Sequence, residues 1–230
     1  RLQHAIAAVN EYVSGYRFDL AAQAIYEFVW DEFCDWYLEL SKVTLTDVHG
    51  IDAEKAGTRQ TLVSTLEALL RLAHPIMPYI TEEIWQRVGP LAGRNGPSVM
   101  LEPYPRAAGF PADPDAERQV AALQAVVLGI RQIRGELDVP HSRTTPVYVQ
   151  TVREGDAEAL AALAGTIARV GNLESITVVA SEGDLPPCAI AMIDGRTVEG
   201  LPTRGPGELA ARLDALRVYT LGSAWFAFEE

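Results

Sequence analysis

Residues 19–41 read DLAAQAIYEFVWDEFCDWYLELS, and their spacing decides the fold class. Leu20, Ala24, Ile25, Phe28, Val29, Phe33, Trp36, Tyr37 and Leu40 recur three and four apart, a broad apolar stripe along one helix. Asp31, Glu32, Asp35 and Glu39 fill the other side. Asp19 has the short acceptor side chain of an N-cap, so the pattern predicts one long helix from there to about Ser41. A stripe that wide must be covered by other helices, and the flanking sequence supplies them.

Upstream, Leu2 to Val13 reads as an opening helix that stops near Ser14-Gly15. Downstream, the polar run from Thr46 to Asp52 breaks the pattern. A helix from about Ala53 to His74 follows, with Leu62, Leu66, Leu69, Leu70 and Ala73 as its stripe. His74-Pro75-Ile76-Met77-Pro78 stops it, since residues before proline avoid helical geometry. Pro78 can open the next helix, which carries Ile80, Ile84, Trp85 and Val88 and ends at Gly89-Pro90. Residues 89–112 are a Gly/Pro-rich loop with one expected extended piece at Ser98–Leu101. Asp113-Pro114 then starts a fifth helix to about Leu137, with Val120, Leu123, Val127, Ile130 and Ile133–Arg134 at helical spacing.

Past Val139-Pro140 the character changes. Pro146 to Val152 and Glu174 to Ala180 read as strands around an amphipathic helix, Ala157 to Val170, that Gly171-Asn172 closes. Cys188–Ile193 and Thr197–Leu201 flank Asp194-Gly195, a two-residue hairpin signal. Pro206 to Arg217 reads as a short helix, and Tyr219 to Glu230 carries no clear pattern. The expected fold is therefore mainly α, with a helical bundle over residues 1–140. A small α/β subdomain over 141–205 follows, then a short helix and tail over 206–230.

Composition narrows the function classes. The 230 residues are 48% hydrophobic and 22% charged, as in ordinary globular proteins. The formal charge is −12, spread over both halves, with nine basic against fourteen acidic residues in 1–110 and ten against seventeen in 111–230. This argues against a general nucleic-acid sponge or a membrane-surface protein. No apolar run reaches the ~18–20 residues of a membrane span. Asn10 and Glu11 interrupt any signal-peptide pattern, and two distant cysteines, Cys34 and Cys188, make no disulfide framework. A cytoplasmic setting is the resulting expectation. Only Lys42 and Lys55 are lysines, so anion contacts fall to arginine, whose planar fork suits phosphate.

A catalytic reading needs convergent groups, and the pattern offers none. His4, His49, His74 and His141 are scattered, and His74 reads as a helix C-cap rather than a metal ligand. Cys34, flanked by Phe33 and Trp36, reads as a structural thiol. The carboxylates Asp31, Glu32, Asp35 and Glu39 read as a solvated helix face. Neither a phosphate-binding glycine loop nor a nucleophile elbow is present. No catalytic residue, metal ligand or cofactor-binding residue is therefore assigned. The clearest basic cluster is Arg131 and Arg134, three apart and hence expected on one face, followed by His141 and Arg143. These arginines either meet phosphates or pair with neighbours such as Glu136 and Asp138. Trp30, Trp36 and Tyr37 form either a stacking platform for unpaired bases or part of the core, with core the expectation for Trp36. Tyr16-Arg17-Phe18 offers a cation and aromatics at a helix mouth, or a plain hydrophobic staple.

Several of these runs resemble one family. They are Tyr16–Ala22 (YRFDLAA), Tyr26–Trp30 (YEFVW), Glu32–Glu39 (EFCDWYLE), Leu69–Trp85 (LLRLAHPIMPYITEEIW), Ile130–Glu136 (IRQIRGE) and Leu173–Val178 (LESITV). Together they are similar to the anticodon-binding region of the valyl-tRNA synthetases, class I aminoacyl-tRNA synthetases, over about residues 1–200. The resemblance implies a helical bundle that docks the anticodon arm of valine tRNA. It implies a C-terminal fragment of a monomeric parent that uses ATP to load valine on tRNA. The nucleotide-binding signatures of that parent are absent, so this chain is expected to be inactive alone, to need no cofactor and to partner with the remainder of the synthetase. An anticodon reader needs cations along the RNA backbone and planes for bases to stack on, and Arg131, Arg134, Arg17 and Arg143 are the RNA-binding candidates on that ground. The family usually continues into a long coiled coil; Glu208–Leu213 resembles its first turns, but Tyr219–Glu230 does not continue a heptad. The alternative is a freestanding helical protein-interaction or scaffold module without RNA binding.

Overall fold

The computed structural model describes residues 1–136, 138–140, 142–151, 154–179, 188–194, 197–200 and 215–220. Two compact units divide the chain at Asp113/Pro114.

The first unit is all helical. Helix α1 (Leu2–Ser14) turns through Gly15 and Tyr16 into α2 (Phe18–Glu27). Ile6 and Val9 of α1 pack against Ala21 and Ile25 of α2, and against Leu72 and Ala73 of α4 (Asp52–Ala73). A second cluster joins Leu70 of α4 to Trp85 of α5 (Pro78–Val88) and to Val99. Trp85 is 1% exposed. Its Nε1–H donates to Glu67 Oε1 at 3.1 Å, and Arg71 closes a fork on the same carboxylate with two bonds of 2.7 Å. Arg71 also donates to the Pro103 carbonyl at 2.6 Å. Burial alone would raise the pKa of Glu67, but the bonds from Arg71 and Trp85 and the charge of Arg71 outweigh it, so the pKa lies below the ordinary value.

Three local expectations change. The helix after Arg17 begins at Phe18, and Asp19 sits in its first turn instead of capping it, because its carboxylate is held by the Arg17 guanidinium. The long helix is not uniform. Phe28–Leu38 forms a π-helical stretch before α3 (Glu39–Leu45). Its wider turn re-phases the stripe. Phe33 is the one residue buried there, and Trp36, expected in the core, is half-buried. Val99–Leu101 is a short 3₁₀ turn rather than extended. Ser98 Oγ accepts from the Met100 amide, and Glu82 takes the Val99 amide and the Ser98 hydroxyl, which curls the segment.

The second unit is α/β. Helix α6 (Pro114–Glu136) packs on α7 (Glu154–Gly171) and on strands β3 (Cys188–Asp194) and β5 (Ala215–Thr220). Strand β1 (Pro146–Thr151) lies between β2 (Ser175–Val179) and β5, parallel to both. β3 runs parallel to β5, and β4 (Thr197–Gly200) pairs antiparallel at the edge, giving the order β2-β1-β5-β3-β4. Val147 and Val149 of β1, Leu160 and Ile167 of α7, and Val126 and Ile130 of α6 are all buried. The end of the expected helix at Ala215–Arg217 is strand, as are Tyr219 and Thr220. Gly195 of the hairpin turn, residues 206–214 of the expected short helix, Glu208–Leu213 and residues 221–230 lie outside the described residues.

Candidate functional site

The corner between α1 and α2 is built to present side chains outward. The Arg17 amide donates to the Tyr12 carbonyl at 2.8 Å, which folds the chain back sharply. Tyr16 takes a left-handed φ of 57°, a conformation costly for a side chain of that size. Its ring stands 82% exposed, edge-on to Phe18 at 6.3 Å between centroids. Between them Arg17 forms a two-bond fork on Asp19, at 3.0 and 2.8 Å. That hydrogen bond first, with the Arg17 charge assisting, holds the Asp19 carboxyl down to about 2. Asp19 in turn raises the Arg17 pKa, so the pair stays fully ionised at neutral pH.

Phe18, Ala22, Tyr26 and Trp30 follow at intervals of four, along one side of the helical run. Phe18, Tyr26 and Trp30 are exposed, and the Tyr26 and Trp30 rings are parallel to within 3° at 6.3 Å between centroids. Beside them runs an open groove of about 440 Å³, with Ala22, Tyr26, Val29 and Trp30 on one side and Ala73, Ile76 and Met77 on the other. The groove's second wall is the kink between α4 and α5. His74 is the C-cap of α4, and its Nδ1 lies 2.8 Å from Thr81 Oγ1. The Thr81 hydroxyl also lies 2.7 Å from the Met77 carbonyl, so His74, Thr81 and the kink backbone are joined by hydrogen bonds. This lock leaves Ile76, Met77, Tyr79 and Ile80 turned to solvent. Four large exposed apolar side chains, Tyr26, Trp30, Ile76 and Met77, line this one groove, more than the scattered singles of an ordinary surface.

Of the four arginine candidates, Arg17 lies in the first unit, and Arg131, Arg134 and Arg143 in the second. Arg131 and Arg143 are exposed. Arg134 is not: it is 7% exposed, although three residues from Arg131 on the same helix. It donates to the carbonyls of Asn172 at 3.1 Å, Pro140 at 3.0 Å and Arg143 at 2.8 Å. Burial pushes its pKa down. A guanidinium so enclosed does not reach a phosphate on an approaching RNA, so the expectation of one shared basic face fails at Arg134. His141 lies outside the described residues. Cys34 is half-buried and free, and no cluster of three metal-ligating side chains occurs among the described residues. No helix among the described residues is long and apolar enough to cross a membrane.

Arg17 and Trp30 are candidates on sequence grounds, whereas Tyr26, Met77 and Tyr79 were not singled out as surface groups and Ile80 was read with the apolar positions of its helix. The exposure of Met77, Tyr79 and Ile80 goes with the kink at Pro75–Pro78, whose prolines were visible but whose direction was not.

Residues 1–149 match the family described as the anticodon-binding domain of tRNA ligase. The match spans the first unit, α6 and the start of the sheet. The chain is 37% identical over 217 residues to a valine–tRNA ligase of Acinetobacter baylyi, an alignment that covers 94% of this chain and 22% of that protein. It is 43% identical over 194 residues to a valine–tRNA ligase of Dechloromonas aromatica, covering 84% of this chain and 20% of that one. The chain thus spans about a fifth of the length of these curated relatives.

Proposed function

The chain belongs to the anticodon-binding domain family of tRNA ligases, and from that premise we propose that it binds valine tRNA at the anticodon arm as the RNA-docking part of a valine–tRNA ligase. The observation that carries this reading is the exposed aromatic face of Phe18, Tyr26 and Trp30 beside an apolar groove. Unpaired loop bases have π-faces that stack on such rings, at roughly 1–3 kcal/mol per base. Arg17 stands at the end of that face for a phosphate or a base edge.

The charge of −12 sets the character of the binding. Release of counterions from phosphates supplies little here, so stacking and shape do more than long-range attraction. The isolated chain binds weakly, and other parts of a ligase add their affinity through linkage. Activation of valine with ATP then belongs to the remaining four-fifths of a ligase like the relatives, acting as a monomer in the cytoplasm. The scaffold alternative has no groove-specific feature in its favour beyond the exposed apolar surface itself.

The test is an anisotropy titration of the chain against labelled valine tRNA and a non-cognate tRNA, at about 20 and 150 mM salt. Preferential binding of the valine tRNA that survives the higher salt supports the reading. Equal binding of both, or none at the lower salt, rejects it.

A further inference from the structure

The buried Arg134 carries a consequence for RNA docking that rests on the function just proposed. Its guanidinium joins three backbone segments: the loop after α6 at Pro140, the approach to β1 at Arg143, and the turn after α7 at Asn172. These segments need an organiser. Asp138 and Asn172 both take left-handed φ values, 49° and 52°. The loop is laced by Val139 N–H to the Arg134 carbonyl at 2.9 Å and by Arg143 N–H to the Pro140 carbonyl at 3.0 Å. Leu173 N–H to the Ala168 carbonyl at 2.8 Å closes the α7 end, and Glu174 N–H to the Thr145 carbonyl ties it to the strand entrance. Arg134 thus ties the loop twice, its carbonyl accepting from the Val139 amide and its guanidinium donating to the Pro140, Arg143 and Asn172 carbonyls. A planar fork can meet acceptors in several directions at once, whereas a lysine ammonium on a flexible stem is a single point charge.

We propose that Arg134 is a positioning residue for RNA binding: by holding the Pro140 and Arg143 carbonyls, it fixes exposed Arg143 against the last turns of the helix that bears exposed Arg131, so that the two present to the RNA backbone in a set arrangement. Arg134 touches no nucleotide. Its loss removes binding through Arg143.

The experiment is a double-mutant cycle on the 230-residue chain, titrated with labelled valine tRNA over a range of salt. Arg143→Ala should flatten the slope of log affinity against log salt by about 0.7–0.9, one phosphate contact. Arg134→Met should flatten it as much, and in the Arg143→Ala background should flatten it no further. Arg134→Lys should keep the charge and fail to restore the slope. A residue that only stabilises the fold would lower the melting temperature and leave the slope of the folded protein unchanged; that result, or additive losses in the double variant, overturns the positioning role. If Arg134→Met does not fold, Arg134→Lys alone and combined with Arg143→Ala answers the same question. Binding by the unaltered chain with an unshifted slope in the Arg134 variants defeats this inference only. Failure of the unaltered chain to bind defeats the RNA-binding reading, and the positioning role with it.

Discussion

Tyr26 and Trp30, one turn apart, hold their rings parallel to within 3° and 6.3 Å between centroids, and both are more than half exposed. Their packing contributes little to the fold, so their substitution separates binding from stability. Tyr26→Ala and Trp30→Ala should each weaken RNA binding by about 1–3 kcal/mol, roughly 5- to 150-fold, if each ring holds a base. The melting temperature should move by no more than a few degrees. Isothermal titration paired with a thermal melt checks both, and unchanged affinity removes the rings from the site.

Asp19 competes with any phosphate for Arg17. Because its pKa is held at about 2, it remains an anion over the whole neutral range. The stability this depressed carboxyl adds is present above its unfolded value and disappears only as pH falls through about 2. Asp19→Asn should release the Arg17 fork, raise affinity for valine tRNA and steepen its salt dependence. The effect on stability should be small, since an exposed pair is screened by solvent. A weaker or unaltered affinity in this variant would mean that Arg17 does not face RNA.

Glu67 is the opposite case, an ion enclosed by the fold. Glu67→Gln leaves Arg71 buried without its counter-charge and should cost about 3–5 kcal/mol in urea unfolding. The folded pKa of Glu67 is depressed, so its contribution is complete above the unfolded value of roughly 4.3 and is lost as pH falls through the folded one. Stability of the unaltered chain should therefore fall below about pH 4.3 more steeply than that of Glu67→Gln. Parallel acid profiles for the two would contradict the assignment.

Thr145 Oγ1 is buried with no hydrogen-bond partner among the described residues. Valine has nearly the same shape without the hydroxyl. Thr145→Val should leave stability unchanged or raise it by up to about 1–3 kcal/mol, the desolvation cost of an unpaired polar group. A loss of about 1 kcal/mol in chemical denaturation would show that the hydroxyl is bonded.

The helices of the first unit were legible because their signals are local. The stripe of α4, Leu62 to Ala73, and the first-turn Pro78 of α5 put the boundaries within a residue or two. The π-helical stretch was not legible, since its bonding changes while the apolar residues stay the same. Strand β5 was missed because Leu216 to Thr220 follows a run that reads as helix, and its place beside β1 and β3 is set by distant partners. Arg134 shows the limit most sharply. Spacing of three puts it on the side of Arg131, yet at the end of α6 the loops folding over that side decide which guanidinium meets water. The exposed aromatics were half legible: spacing marked Trp30, but whether a ring on a helix faces core or solvent depends on what packs there.

The most direct test of the account is nucleotide protection on valine tRNA with the chain bound, probed by hydroxyl-radical cleavage and base-specific reagents. Protection of the anticodon loop is expected, lost in Trp30→Ala, with the acceptor end untouched. Protection confined to the acceptor end, or an anticodon loop as reactive with the chain as without it, would contradict it.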